Sequence, residues 1–511
     1  MIVIGDGALH WRPERGYVGD VIPFSHAGRI WLFFLLDERP DDPAAGASGM
    51  PWALVSTTDF VRYTDHGVVL PGGDRDADDF DCYTGSVVAD GDRLHLFYTG
   101  HNPRRGTTDG AVQVVCHATS DGDPTRWTKH PEHTFGAPPG YVPQDWRDPF
   151  VFRPAPDQPW QMVLAARHSG VPNRRSGVVA RLTSLDLERW TIAEPLWEPH
   201  RFITQECPDV FQWGDWWYLV YSEFSDAFQT RYRVARQPDG PWLAPSRDTV
   251  DGRAFYAAKS VDHQGRRFFI GWIPTKQGES DAGEWQWAGD LAVLEAHQEA
   301  DGNLAFAFPA EILAAHSDPH RVSLAPIDDA AAEPGHGAAD RYAAWLGGPL
   351  PSRCLIELTV DVAAGTQAFG LLLHTSAEGE EGTIIRLEPQ RDRIVFDRWP
   401  RGRTGPAQWQ VDGDVPHAVD LERPCPIPPG RHTIQVLLDE TTGQIVVDQR
   451  VALSIRLYDH RRGHLGLFVA DGALNVIDFL LSTCSHDCDG RHDRKPCSPG
   501  RFSSASTDKR K

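Results

Sequence analysis

Residues 205–223 read QECPDVFQWGDWWYLVYSE. A compact acidic run, Glu206-Cys207-Pro208-Asp209, leads into a strand, a tight Gly214-Asp215 turn and a second, aromatic strand from Trp216 to Tyr221. The same order of features recurs at 19–36 (GDVIPFSHAGRIWLFFLL), 85–99 (GSVVADGDRLHLFYT), 147–165 (RDPFVFRPAPDQPWQMVLA) and 255–272 (FYAAKSVDHQGRRFFIGW). Five copies whose starts are roughly 50 to 65 residues apart imply the five blades of a β-propeller. Three of them carry an acid at the entry to the first strand: Asp20, Asp148 and Glu206.

Outward from these starts the repeat becomes finer. The second and third copies each continue into a run ending in Thr-Ser (112–120 and 176–184) and then a short segment containing a Trp (126–130 and 187–191). The propeller is expected over 1–316. A Pro-, Ala- and Gly-rich connection follows at 317–340. Apolar and polar residues then alternate in short segments such as LIELTVDV (355–362), AFGLLLHT (368–375) and HTIQVLLD (432–439). Half-buried strands with frequent turns imply a β-sandwich over 341–483. The fold class is therefore all-β, a five-bladed propeller followed by a sandwich. From 484 to 511 the chain is polar and basic and is expected to be a disordered tail. Its Cys484, His486, Cys488, His492 and Cys497 could ligate zinc, but nothing around them folds compactly.

Bulk composition narrows the function. A length of 511 residues exceeds one ordinary core, and 41% hydrophobic with 10% aromatic residues is ample for folded domains. Eighteen Trp against three Met provide many flat aromatic faces, which suit the C–H faces of sugar rings as well as cores. A formal charge of −21 opposes nucleic acid and anionic membrane as partners but not a neutral carbohydrate. No signal-like start and no long apolar run is present, and eight scattered Cys form no disulfide framework. A cytoplasmic location is the expectation. Oligomeric state is not legible.

In a propeller the first strands line the central channel, so acids at their starts converge on one funnel. Glycosidic cleavage needs one carboxylic acid to protonate the leaving oxygen and one carboxylate to attack or to activate water. Crowded acids also raise one another's pKa, which keeps one protonated near neutrality. Each acid has a plainer reading too. Asp20 suits a turn and Arg147-Asp148 suits a structural ion pair, while Asp209 suits a cap for strand donors. No metal and no cofactor is expected, since no His-rich cluster accompanies the three acids.

These residues resemble glycoside hydrolase family 32, the β-fructofuranosidases, along nearly the whole chain to about 482. Arg147-Asp148-Pro149 and Glu206-Cys207-Pro208-Asp209 match two of its motifs in order and separation. PWALVSTTDFVRY (51–63), YTGSVV (83–88) and GRAFYAAKSVDHQGRRFFIGWIP (252–274) are similar to three more. The resemblance implies Asp20 as nucleophile, Glu206 as acid/base and Asp148 as the residue that holds sugar hydroxyls. It implies that Arg147 orients the ring and that Trp52, Tyr83, Ser86 and Trp287 lie near substrate, although either Trp also suits the core.

The chain departs from the family pattern in its first motif and in the fifth blade, where the Pro-Arg-Glu-Leu end is also absent after Gly289. Gly19-Asp20-Val21-Ile22-Pro23 stands where the family has Asn-Asp-Pro-Asn-Gly, and Ala254 and Lys259 replace an Asp and a Gln. Lys259 is then either a solvated strand residue or a new cation near the pocket. The expectation is a retaining hydrolase of terminal β-D-fructofuranosides. The alternatives are an arabinofuranosidase-like enzyme or fructosyltransferase, or a carbohydrate-binding protein without turnover.

Overall fold

In the computed structural model, which describes residues 2–4, 9–39, 49–107, 112–327, 340–400 and 419–484, strands dominate. The only α-helix among the described residues is Ala310–Ala314. Every pairing between named strands is antiparallel, as expected of segments joined by tight turns. The tail after Cys484, with its candidate zinc ligands His486, Cys488, His492 and Cys497, lies outside the described residues.

The first three-fifths of the chain forms four sheets. Three are local: one around Asp81–Asp90 and Arg93–His101, one running Tyr141–Phe152 to Thr191–Trp197, and one of three strands from Glu206–Trp213 to Gln229–Ala235. The third has no fourth strand. Isolated bridges Arg231↔Thr249 and Val234↔Leu243 take its place. The remaining sheet has nine strands and combines the two ends of this region, Tyr17–His26 to Tyr63–Leu70 and Tyr256–His263 to Leu304–Ala307. Its halves meet through one ladder pair, Val18↔Gly289. Gly289 is needed there, because a β-carbon would collide with the Ile273 carbonyl.

The strands Tyr17–His26, Asp81–Asp90, Tyr141–Phe152, Glu206–Trp213 and Tyr256–His263 neighbour one another in cyclic order, the last returning to the first. Their apolar residues fill the spaces between sheets. Ile22, Phe33 and Trp52 pack with Leu96 and Tyr98, and Phe97 packs with Trp146 and Met162.

The rest of the chain forms two sheets of six and seven strands. In Arg353–Val362 the buried residues Ile356, Leu358 and Val360 alternate with half-buried Glu357, Thr359 and Asp361. They face Leu371, Leu373 and Ile385 of the other sheet in a shared core, the half-buried pattern expected from the sequence. These sheets begin inside the segment read as a connection. His316–Arg321 pairs with Leu474–Cys484, and Ala325–Pro326 pairs with Tyr342–Pro349. Pro319 lies at a register shift on an edge strand, where a missing N–H leaves no ladder bond unmade, so its presence did not exclude strand. Cys484 is the last residue of the final strand.

The two halves are joined by buried polar groups. Arg456, fully buried, donates to the carbonyls of Ile273 (2.6 Å) and Pro274 (2.9 Å) and to Asp290 (2.5 Å). Asp251 accepts from the Ser454 N–H and hydroxyl. Such contacts hold the propeller-side sheets in one orientation against the sandwich.

Candidate active site

Each of the five inner strands carries a β-bulge. The register shifts between Val18 and Val21, Tyr83 and Gly85, Arg147 and Phe150, Glu206 and Asp209, and Tyr256 and Lys259. One extra residue at each of these shifts re-aims the side chains around it and frees a backbone N–H from the ladder. That freedom explains why Pro149 and Pro208 are tolerated inside strands. Asp148, Cys207 and Ala257 occupy matching bulge positions, all with left-handed φ (59°, 49° and 51°), a conformation that bulky residues adopt only when their surroundings enforce it.

The three acids converge, though not from matching positions. Glu206 is the residue before the left-handed one, Asp148 is the left-handed residue itself, and Asp20 follows Gly19 at the third place. All three line one cavity of about 470 Å³, with Leu35, Met50, Tyr83, Thr84, Gln113, Gln144, Asp145, Arg147, Phe224 and Trp287.

Hydrogen bonds fix each carboxylate. Asp20 accepts from the Thr84 hydroxyl at 2.6 Å and from the Trp272 indole N–H at 3.1 Å. Asp148 accepts the Cys207 N–H at 2.9 Å, and its own N–H donates to Thr99 Oγ1 at 2.7 Å. Glu206 accepts from Arg147 Nη2 at 3.0 Å through one oxygen and from the Tyr256 hydroxyl at 2.6 Å through the other. Arg147 also donates to Asp145 at 2.6 Å, so the guanidinium is shared among acids.

Electrostatics follow from this crowding. Burial pushes the Glu206 carboxyl up from its ordinary value, with Asp148 adding repulsion and Arg147 and Tyr256 working against both. Burial likewise raises Asp20, the Asp148 charge adds to the rise, and the Thr84 and Trp272 bonds oppose it. A carboxyl that holds its proton toward neutrality is the requirement for a general acid.

The other expected residues divide. Arg147, Tyr83 and Trp287 line the cavity. Trp52 is fully buried and donates its indole N–H to the Tyr83 carbonyl at 3.1 Å. Ser86 accepts the Val151 N–H at 3.0 Å. Lys259 is 2% exposed and donates to the Pro208 carbonyl at 3.0 Å, so it is neither solvated nor a cation in the cavity. The reason is its register: it follows the bulge, as Phe150 and Asp209 do in neighbouring sheets, and none of the three lines the cavity.

Sequence reading did not single out Thr84, Gln113, Gln144, Asp145, Tyr256 or Trp272. Thr84 and Tyr256 each stand at the bulge of their own strand, a feature that leaves no mark in composition or period. Gln144 and Asp145 precede Arg147 by two or three residues in a segment with no motif.

The sequence model of the Glycosyl hydrolases family 32 N-terminal domain matches residues 10–303. A sucrose-6-phosphate hydrolase of Escherichia coli is 29% identical over 318 residues, covering 58% of this chain and 63% of that protein. A raffinose invertase of Escherichia coli is 29% identical over 319 residues, with the same coverage of 58% and 63%. The chain thus spans under two thirds of the length of these relatives. Among solved structures, fructan 1-exohydrolase IIa of Cichorium intybus superposes with a TM-score of 0.71 at 17% identity, covering 93% of this chain and 96% of that one. Aspergillus kawachii β-fructofuranosidase complexed with glycerol gives 0.72 at 15% identity, covering 95% and 96%. These likenesses show a shared fold of β-propeller and β-sandwich. More than half of the chain lies within the family match, and the chain belongs to glycoside hydrolase family 32.

Proposed function

We propose that this chain is a retaining glycosidase that releases fructose from terminal β-D-fructofuranosides, sucrose or short fructans. The observation that carries this reading is that Asp20, Asp148 and Glu206 line one cavity, each fixed by hydrogen bonds from a neighbouring sheet. Asp20 attacks the anomeric carbon while Glu206 gives its proton to the leaving oxygen, forming a covalent fructosyl–enzyme ester. Water then enters, Glu206 takes a proton from it, and the ester to Asp20 breaks to release the sugar. Asp148, with Oδ2 held by the Cys207 N–H, offers its other oxygen to sugar hydroxyls. Arg147 orients Glu206, and Trp287, 37% exposed, offers an aromatic edge to the sugar.

An unphosphorylated sugar fits the charge of the cavity. Among the described lining residues Arg147 is the one Lys or Arg, against Asp20, Asp145, Asp148 and Glu206. A phosphate would add negative charge beside four carboxylates.

The architectural reading is a five-bladed propeller at 1–316 and a sandwich at 341–483, joined by a segment at 317–340 whose first strands already pair with the sandwich. The cyclic order of the five inner strands supports five blades.

Chromatography of products from sucrose, sucrose 6-phosphate, 1-kestose, inulin, levan and arabinan tests the reading. Fructose from sucrose or a fructan is expected, with weaker or no release from sucrose 6-phosphate. Arabinose release alone, transfer products alone, or binding without turnover would each replace it.

A further inference from the structure

A second cluster of chemistry-bearing side chains lies on the sheet that contributes Thr84, away from the cavity. His117 is in the middle of the strand Gln113–Ser120 and is 2% exposed. The chain beyond that strand folds back along it. Thr128–Lys129 pairs with Ala118 and Thr119, and Phe135–Gly136 pairs with Val114 and Val115. Between these pairings the short turn Pro131–His133 is pinned over His117, with the His130 N–H on the His117 carbonyl at 2.9 Å. Three imidazoles are thereby brought close together. The ring centres lie 5.2 Å apart for His117–His133, 5.4 Å for His117–His130 and 5.2 Å for His130–His133.

We propose that His130, Glu132 and His133 bind one divalent transition-metal ion of the zinc type. Two imidazoles and a carboxylate on one tetrahedral ion, with metal–ligand bonds of about 2.0–2.2 Å, hold their ligating atoms roughly 3 Å apart. Candidate ligand atoms of His130, Glu132 and His133 all lie within 4.8 Å of one another, and the His130 and His133 ring centres are 5.2 Å apart. Two nitrogens and one carboxylate oxygen, with water in the fourth position, form a donor set suited to zinc, copper or nickel and unsuited to calcium or magnesium.

The surroundings complete such a site. His117 Nδ1 is 2.9 Å from His133 Nδ1 and His117 Nε2 is 3.0 Å from His95 Nδ1, so a chain of imidazoles behind the site fixes the His133 ring. His130 Nε2 is held 2.8 Å from the Thr119 hydroxyl. Glu132, with a side chain 65% exposed, closes the site on the solvent side. None of these residues lines the catalytic cavity. The ion would clasp the 128–136 segment to its strand and take no part in turnover.

The full-length protein, stripped of metal and titrated with zinc chloride alone, provides the test by calorimetry and thermal unfolding. The wild type is expected to bind one ion tightly and to gain melting temperature. The double variant His130→Gln/His133→Gln is expected to weaken that event by at least about 100-fold and to lose the thermal gain. Glu132→Ala is expected to weaken it by about tenfold. Both variants should keep the basal hydrolytic rate. Unchanged zinc binding in the double variant would place the ion elsewhere and overturn the proposal, as would the absence of tight binding to the wild type.

Discussion

The ring of Trp287 occupies the space into which a β-carbon at residue 19 would project, so Gly19 and Trp287 are sterically coupled beside Asp20. A β-carbon there would also come within 3.0 Å of Leu35 Cβ. This explains how the chain accommodates Gly19 where the resemblance leads one to expect Asn: the room has been given to an indole that lines the cavity. Gly19→Ala should displace Trp287 and lower kcat/KM by about 10- to 100-fold, and adding Trp287→Ala should cost less than the sum of the two single changes. A double-mutant cycle in kcat/KM measures this; additive losses would show that the two positions are independent.

Tyr256 donates to Glu206 across 2.6 Å and works against the rise in its pKa. In Tyr256→Phe that restraint is gone, so Glu206 should hold its proton to higher pH. The alkaline limb of the kcat/KM profile should move upward, with kcat reduced by about tenfold through lost orientation. An unmoved limb would detach Tyr256 from the titrating group.

Asp20 and Glu206 both have pKa values raised by folding. For a raised carboxyl the folded state keeps a proton that the unfolded chain releases. The stability it contributes is present at low pH and lost as pH rises through the folded pKa. Asp20→Asn removes that loss for one group, and Asn can still face the Trp272 N–H and the Thr84 hydroxyl. The variant should melt about 2 °C or more above wild type at pH 8, with the gap closing toward pH 4. Melting curves across that range check the sign.

Lys259 is buried with Asp209, whose carboxylate accepts from the Ser260 N–H and hydroxyl at 2.7 Å each. Lys259→Met removes a buried cation while leaving Asp209 in place. Stability should fall by about 3 kcal/mol, with KM little changed at temperatures where the protein stays folded. Denaturant unfolding and steady-state kinetics separate these effects; a KM rise without loss of stability would return Lys259 to the substrate.

The sequence carried the sheets well, because alternating strands and tight turns leave strong local patterns. It also carried the convergence of Asp20, Asp148 and Glu206, because starts of successive inner strands must meet around one axis. The one-residue bulges were not legible, since an inserted residue changes no composition or period that a short strand displays. Hence Lys259, read as either a solvated strand residue or a cation near the pocket, is instead buried after the bulge, and Tyr256 was passed over although it shares the register of Glu206. Trp52 illustrates a second limit. An aromatic side chain suits both a sugar and a core, and only the fold assigns it to the core.

The most direct test replaces Asp20, the carboxylate proposed to attack. Asp20→Asn, assayed for fructose release from sucrose beside wild type and checked for folding by circular dichroism, should lose at least about 1,000-fold in kcat while remaining folded. A folded Asp20→Asn protein that turns over at the wild-type rate would contradict the account.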